Sequence, residues 1–131
     1  MFEGTDTNIF KQTKEFSELF VKEMKNVKES FNFLYTGHWL QGKLGEDRKD
    51  TGMLLKVFLE TFKDKKNAPG LIMKTSGAGF SVIDREDILK KIRTIKNTVK
   101  AKTLPSVYLL HGDFTDDEMN ELYNQPKVKA H

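Results

Sequence analysis

Short apolar runs alternate along the chain with stretches whose apolar residues recur every three or four positions. The runs lie at residues 31–36, 71–75 and 107–110, and turn-forming residues bound each of them. Continuous apolar runs of this length are typical of strands that are buried on both faces of a sheet. The pattern therefore predicts three interior strands, and residues 128–131 begin a fourth.

The stretches between the runs have the period of an amphipathic helix. They predict helices over residues 13–28, 51–63 and 85–100, and a last helix that Thr115 or Asp116 caps and that Pro126 ends. Asp84 is the predicted N-cap of the third helix, and Asp87 follows in a position like that of a capping box. The chain thus runs from one helix into three strand–helix pairs.

This alternation requires parallel strands that are joined by right-handed crossovers. We therefore expect an α/β fold with a Rossmann-like, three-layer open parallel sheet of about three to four strands and helices on both faces. Residues 1–12 form an irregular leading segment, and residues 13–131 form a single domain.

Small or polar residues follow each predicted strand. They are Gly37 and His38 after the first strand, residues 75–79 after the second and residues 111–113 after the third. Since ligands bind parallel sheets outside the carboxyl ends of the strands, the three loops are expected to converge on one crevice.

Residues 30–52 have the layout of a phosphate-binding segment. A buried strand leads into a glycine-punctuated loop, in which Lys43, Arg48 and Lys49 bring positive charge to the start of the next helix. A helix N-terminus adds unpaired N–H groups and about half a positive charge, so an anion at this point would be held from several sides. A surface turn with scattered charge is the alternative interpretation.

Composition narrows the class of protein. The 131 residues contain 37% hydrophobic and 31% charged residues and no cysteine, which excludes disulfides, thiolate nucleophiles and cysteine zinc sites. No apolar stretch has the length of a membrane span, and the N-terminus lacks the order of a secretory signal, so a cytoplasmic protein is expected. The basic block at residues 85–102 has no interleaved aromatic residues, which favours a solvated helix face over a nucleic-acid interface.

Three other residue sets have simpler interpretations than catalysis. His38 and His111 stand at predicted strand ends, but no third ligand at a suitable spacing supports a metal site. The acidic residues 113–118 match the first turn of a capped helix better than a pair of catalytic carboxylates. Trp39 either stacks on a base or sugar or is buried against the first helix.

Three segments follow one another in an order that matches a known family. They are FEGTDTNIF at residues 2–10, the strand ending in Gly37 with Arg48-Lys49 beyond it, and VYLLHGDFTDDEMNELYNQPKVKAH at residues 107–131. Together they resemble the GT-B fold glycosyltransferases of the family 4 type (glycosyl transferases group 1), at the first part of the C-terminal donor-binding domain. The resemblance covers almost the whole chain, and His38 stands where that family has an arginine.

The resemblance implies the donor-binding portion of a retaining glycosyltransferase, which moves a sugar from a nucleoside diphosphate to an unknown acceptor. Residues 1–12 would be an interdomain linker, and the substrate would be a UDP- or GDP-sugar, with no cofactor, no metal and no catalytic residue on this chain. The implied contacts to the donor diphosphate come from Lys49, Arg48, Lys43, His38 and Gly37, and those to the nucleotide base from His111, Gly112, Asp113 and Phe114.

The family's N-terminal acceptor domain and its glutamate-rich donor-sugar segment have no counterpart in these residues. We therefore expect the chain to be inactive by itself, to need those missing parts as partners, and to form a homodimer through an exposed sheet edge. The alternative is a stand-alone, non-catalytic nucleotide- or phosphate-binding α/β module. A receiver-like signalling domain is disfavoured, because the predicted strands end in Gly37, Thr75 and His111 rather than in aspartates.

Overall fold

A computed structural model of the chain describes residues 4–40, 49–77 and 79–131, apart from the side chain of Leu19. The helices are α1 (Glu18–Lys25), α2 (Thr51–Phe62), α3 (Val82–Thr98) and α4 (Asp116–Tyr123). The strands are β1 (Asn32–His38), β2 (Gly70–Ser76), β3 (Val107–Leu110) and β4 (Val128–Ala130). The order of elements predicted from the sequence is confirmed, including the fourth strand.

The strands form one parallel sheet in the order β3-β2-β1-β4. β1 and β2 pair over their full lengths, from Asn32 opposite Gly70 to His38 opposite Ser76. β3 pairs with the other edge of β2, and β4 pairs with β1 through a register shift between Asn32 and Phe33. The prediction of a Rossmann-like open parallel sheet is therefore confirmed.

Helices cover the sheet on both faces. Leu71 and Met73 of β2 lie in a core cluster with α2 and α3, whereas Ile72 lies in a second cluster with α1 and α4. Because apolar side chains of β2 are buried on both faces, the strand is a continuous apolar run rather than an alternating one. None of the described helices combines the length with the apolar character that crossing a membrane needs.

The first helix is shorter than predicted, because the residues before it bond to another element. The backbone N–H groups of Lys11 and Thr13 donate to the side-chain oxygens of Asn120 and Asn124. Ser17, the N-cap of α1, donates from its N–H and from its hydroxyl to the carboxylate of Glu121. These bonds to α4 and Asn124 hold residues 11–17 outside the helical conformation, so the predicted start at residue 13 is wrong.

The predicted N-cap of α3 is also wrong. Ser81 is the N-cap, and its hydroxyl oxygen accepts a hydrogen bond of 3.1 Å from the N–H of Asp84. The helix therefore begins one turn earlier than predicted, which places Asp84 in its first turn and leaves the Asp84 carboxylate available for other partners.

Two aromatic residues also differ from the prediction. The sequence predicts that Phe31 begins the first strand, but Phe31 precedes β1 and is 45% exposed. Trp39 is buried, but it packs in the cluster of α2 and α3 on the opposite face of the sheet from α1. The Nζ of Lys91 in α3 donates to the Trp39 carbonyl and lies 5.6 Å from the centre of its ring. Trp39 is therefore a core residue, and its burial is not against the first helix.

Replacement of a core leucine tests the packing of α2 on the sheet. Leu59 is fully buried, whereas Val57 of the same helix is 55% exposed. We expect Leu59→Ala to lower the free energy of unfolding by about 2–5 kcal/mol, because it removes buried contacts and leaves a cavity. Val57→Ala, the control, should lower it by less than about 0.5 kcal/mol. Equal losses in urea denaturation would contradict this placement of α2.

Candidate functional site

A small cavity of about 210 Å³ lies at the carboxyl ends of β1 and β2, beside the residues that follow β3. Residues of the strand ends, of the loops after β2 and β3 and of α4 line it: Thr36, Gly37, His38, Lys74, Ser76, Phe80, Asp113, Phe114 and Met119. Larger open depressions of about 800 and 780 Å³ lie at the amino ends of the strands and beside α2 and β1. We take the small cavity as the candidate site, because ligands of open parallel sheets bind at the carboxyl ends of the strands.

The structure brings four of the predicted site residues to this cavity. Gly37 and His38 reach it from the end of β1, and Asp113 and Phe114 reach it from the residues that follow β3. The Nδ1 of His38 is 3.5 Å from the hydroxyl oxygen of Ser76 at the end of β2. The loops after the three strands therefore converge, as the parallel order requires.

Lys49 lies against the end of β1. A Cβ atom added to Gly37 would be 3.2 Å from Cδ of Lys49 and 2.8 Å from the hydroxyl of Tyr35. That hydroxyl is in turn 2.6 Å from the hydroxyl of Thr51, the first residue of α2. The missing side chain at position 37 thus leaves room for Lys49 and Tyr35 between the end of β1 and the start of α2. The predicted contacts Lys43 and Arg48 lie outside the described residues.

The His111 side chain is engaged within the protein. Its Nε2 lies 2.6 Å from Oδ2 of Asp84, and only 4% of the side chain is exposed. The ring does not line the cavity, although Asp113 and Phe114 do. The predicted contact of His111 with a nucleotide base therefore has no counterpart in the lining of this cavity.

Asp84 is a residue whose role the sequence did not predict. Its Oδ2 accepts hydrogen bonds from both His111 Nε2 and the backbone N–H of Gly77, the latter at 3.0 Å. Burial by itself would raise the pKa of Asp84, but the hydrogen bonds from His111 and Gly77 outweigh it and hold the pKa below its usual value. The carboxylate is therefore the stable form in the folded protein.

Lys74 is a second residue that the sequence analysis missed. Its Nζ donates a hydrogen bond of 2.8 Å to the carbonyl of Gly112 and lies 4.7 Å from the centre of the Phe114 ring. Burial lowers the pKa of Lys74, while the nearby charge of Asp113 opposes this shift. The sequence feature that could have identified Lys74 is a lysine within an apolar run, because a half-buried ammonium requires hydrogen-bonding or charged partners.

The chemistry of the cavity suits an anionic ligand that carries a ring. Lys74 supplies positive charge, Ser76 supplies a hydroxyl, and Phe114 supplies an aromatic surface, while Lys49 adds a further cation beside Gly37. In the parts of the chain that the structure describes, no three histidine, aspartate or glutamate side chains are grouped so as to hold a metal ion. Cationic, hydroxyl and aromatic groups of this kind can bind and orient a ligand.

Comparisons of the chain with protein-family models, with curated protein sequences and with solved structures give no match.

The lowered pKa of Asp84 predicts a pH dependence of stability. Because the folded-state value lies below the unfolded one, the carboxylate stabilises the fold fully above about pH 5, and this contribution is lost as the pH falls through about 3.9 and below. We expect the unfolding free energy of the wild type to fall more steeply from pH 5 to pH 3 than that of Asp84→Asn. The exposed Asp87→Asn is the control and should follow the wild type. Parallel curves for the wild type and Asp84→Asn would contradict this assignment.

Proposed function

We propose that the carboxyl-end cavity and the adjoining start of α2 bind the nucleoside diphosphate of a sugar donor. In this proposal the chain is the donor-binding portion of a retaining glycosyltransferase. The observation that carries the proposal is the position of Lys49, whose side chain lies beside Gly37 at the carboxyl end of β1 and just before α2.

The strand order supports a ligand site at this point. β2 and β3 lie on one side of β1, and β4 lies on the other, so the order reverses at β1. In open parallel sheets the crevice at such a reversal is where ligands bind. The N-terminus of α2, with the positive end of its dipole, lies beside the same strand end, and the exposed Lys49 ammonium adds a full positive charge. A diphosphate would be stabilised by both.

The neighbouring residues suit the base end of a nucleotide. Asp113 and Phe114 line the cavity directly after β3, next to Lys74 and Ser76 from β2. The carboxylate can accept hydrogen bonds from the N–H groups of a base. The ammonium and the hydroxyl can donate to the carbonyl groups of the base, and the aromatic ring offers a surface on which the base can stack. Both ends of a nucleotide would therefore meet complementary groups along one edge of the sheet.

The reaction itself needs more than these residues supply. In sugar transfer the acceptor hydroxyl has to be held against the donor sugar, and much of the rate comes from this orientation. We assign donor binding to this chain and assign acceptor binding and the transfer step to none of its residues.

A second candidate function is a stand-alone nucleotide- or phosphate-binding module. It is favoured by the character of the groups that the cavity brings together, which are cationic, hydroxyl and aromatic groups suited to binding. The two candidates differ in selectivity, since a donor site should prefer a nucleotide sugar to inorganic phosphate, whereas a phosphate site should not.

Titration with UDP and GDP, followed by amide NMR signals, tests the proposal. We expect the signals of residues 49–52 and 111–114 to shift. Lys49→Ala should weaken binding roughly ten- to a hundredfold, since a charge-assisted contact contributes about 1.5–3 kcal/mol. Lys66→Ala removes an exposed lysine near the amino end of β2 and is the matched control, which should bind as the wild type does.

Two results would count against donor binding. Shifts confined to the basic helix α3 would indicate unspecific attraction of anions to its lysines. Equal affinity for inorganic phosphate and for the nucleotides would favour the phosphate-binding module instead.

A further inference from the structure

We propose that Asp84 is a positioning residue, whose carboxylate joins the residue after β2 to the residue after β3 and thereby sets the affinity of the cavity for its nucleotide. This inference rests on the function proposed above, because it concerns the same cavity. Asp84 itself does not line the cavity, so it acts through the two segments that it joins.

One oxygen atom makes both connections. Oδ2 of Asp84 accepts from the N–H of Gly77, directly after β2, at 3.0 Å, and it lies 2.6 Å from Nε2 of His111, directly after β3. The Asp84 side chain is 13% exposed and that of His111 is 4% exposed. Because water has little access to either side chain, the bonds are not weakened by exchange with solvent as surface pairs are.

Gly77 makes the close approach of the carboxylate possible. A Cβ atom at this position would collide with Oδ1 of Asp84, which occupies the space where a side chain would begin. The glycine and the aspartate therefore fit each other, and the backbone after β2 is held directly against the first turn of α3.

The joined residues are immediate neighbours of the cavity wall. Ser76 precedes Gly77, and Asp113 follows His111 by two residues, and both line the cavity. A second bond, from Nζ of Lys74 to the carbonyl of Gly112, holds the same segment from the side of β2. The segment after β3 is thus fixed at two successive residues, and this arrangement would present Asp113 and Phe114 to a ligand in one orientation.

Helix capping does not account for the carboxylate. The cap of α3 is Ser81, whose hydroxyl accepts from the N–H of Asp84 and leaves the Asp84 side chain uninvolved. A carboxylate in the first turn of a helix also gains some stability from the helix dipole, so loss of stability alone would not test the proposal. The test must measure ligand affinity and the coupling between the two segments.

The positioning role is tested by measuring the affinities of Asp84→Ala, His111→Ala and the double variant for GDP and UDP. We expect each single variant to bind about tenfold more weakly or worse, corresponding to about 1.4 kcal/mol. Because the two residues act as one unit, the double variant should bind no more than about threefold worse than the weaker single variant. His111→Gln keeps a donor that can reach Asp84 and should recover most of the affinity lost in His111→Ala.

Asp64→Ala is the matched control for stability. The Asp64 carboxylate also joins two segments, since its Oδ1 accepts from the N–H groups of Lys102 and Thr103 at 2.8 Å, but it is remote from the cavity. We expect Asp64→Ala to lower stability while nucleotide affinity stays within about twofold of the wild type. If Asp84→Ala weakens binding no more than Asp64→Ala does, the positioning role is wrong.

Spectra of the nucleotide-free protein separate this inference from the proposed function. His111→Ala should shift the amide signal of Gly77, and Asp84→Ala should shift those of residues 111–114, if the carboxylate joins the two segments. If the Gly77 signal is unchanged in His111→Ala and the signals of residues 111–114 are unchanged in Asp84→Ala, the inference is wrong, whether or not a nucleotide binds. If the wild type binds no nucleotide, the proposed function is wrong, and so is the proposal that Asp84 sets the affinity. The amide signals would still show whether the Asp84 carboxylate joins the two segments.

Should Asp84→Ala fail to fold, Asp84→Asn replaces it, because this variant keeps the shape of the side chain and removes its charge. We expect Asp84→Asn to show a smaller loss of affinity.

Discussion

Burial of β2 on both faces is the constraint on which the rest of the structure depends. The strand pairs with β1 on one edge and β3 on the other, and its apolar side chains enter the core clusters on both sides of the sheet. Parallel pairing on both edges brings three carboxyl ends to one edge of the sheet. Gly77 and His111 are neighbours in space for this reason, although they are 34 residues apart in the sequence.

The same geometry concentrates polar groups where the core ends. Lys74 and Ser76 belong to β2 yet line the cavity, because the strand leaves the core at this point. The half-buried Lys74 ammonium is held by the carbonyl of Gly112 and by the face of Phe114. The segment after β3 thus supplies the partners of a charged group at the end of a buried strand. The contacts that stabilise this end of β2 therefore also determine the shape of the cavity.

Local sequence patterns predicted the elements well and the contacts between them less well. The apolar runs placed three strands, and the rule for parallel sheets placed Gly37, His38 and Asp113 at one edge. The bond between Asp84 and His111 joins the first turn of one helix to the end of a later strand, and no local period encodes such a pairing. For the same reason no sequence pattern predicted that the segment before α1 bonds to Asn120 and Asn124. Ser81 could have been recognised locally as the N-cap of α3, but serine and aspartate are equally good N-cap residues, so residue type alone did not distinguish Ser81 from Asp84.

In the proposed function, a nucleoside diphosphate binds at the carboxyl ends of the strands, with its phosphates at Lys49 and its base at residues 111–114. The most direct test is a crystal structure of the chain grown with GDP or UDP. The account predicts phosphate oxygens within hydrogen-bonding distance of the Lys49 ammonium and a base against the cavity that Asp113 and Phe114 line. A nucleotide at the depression between the amino ends of the strands, or along the lysines of α3, would contradict it.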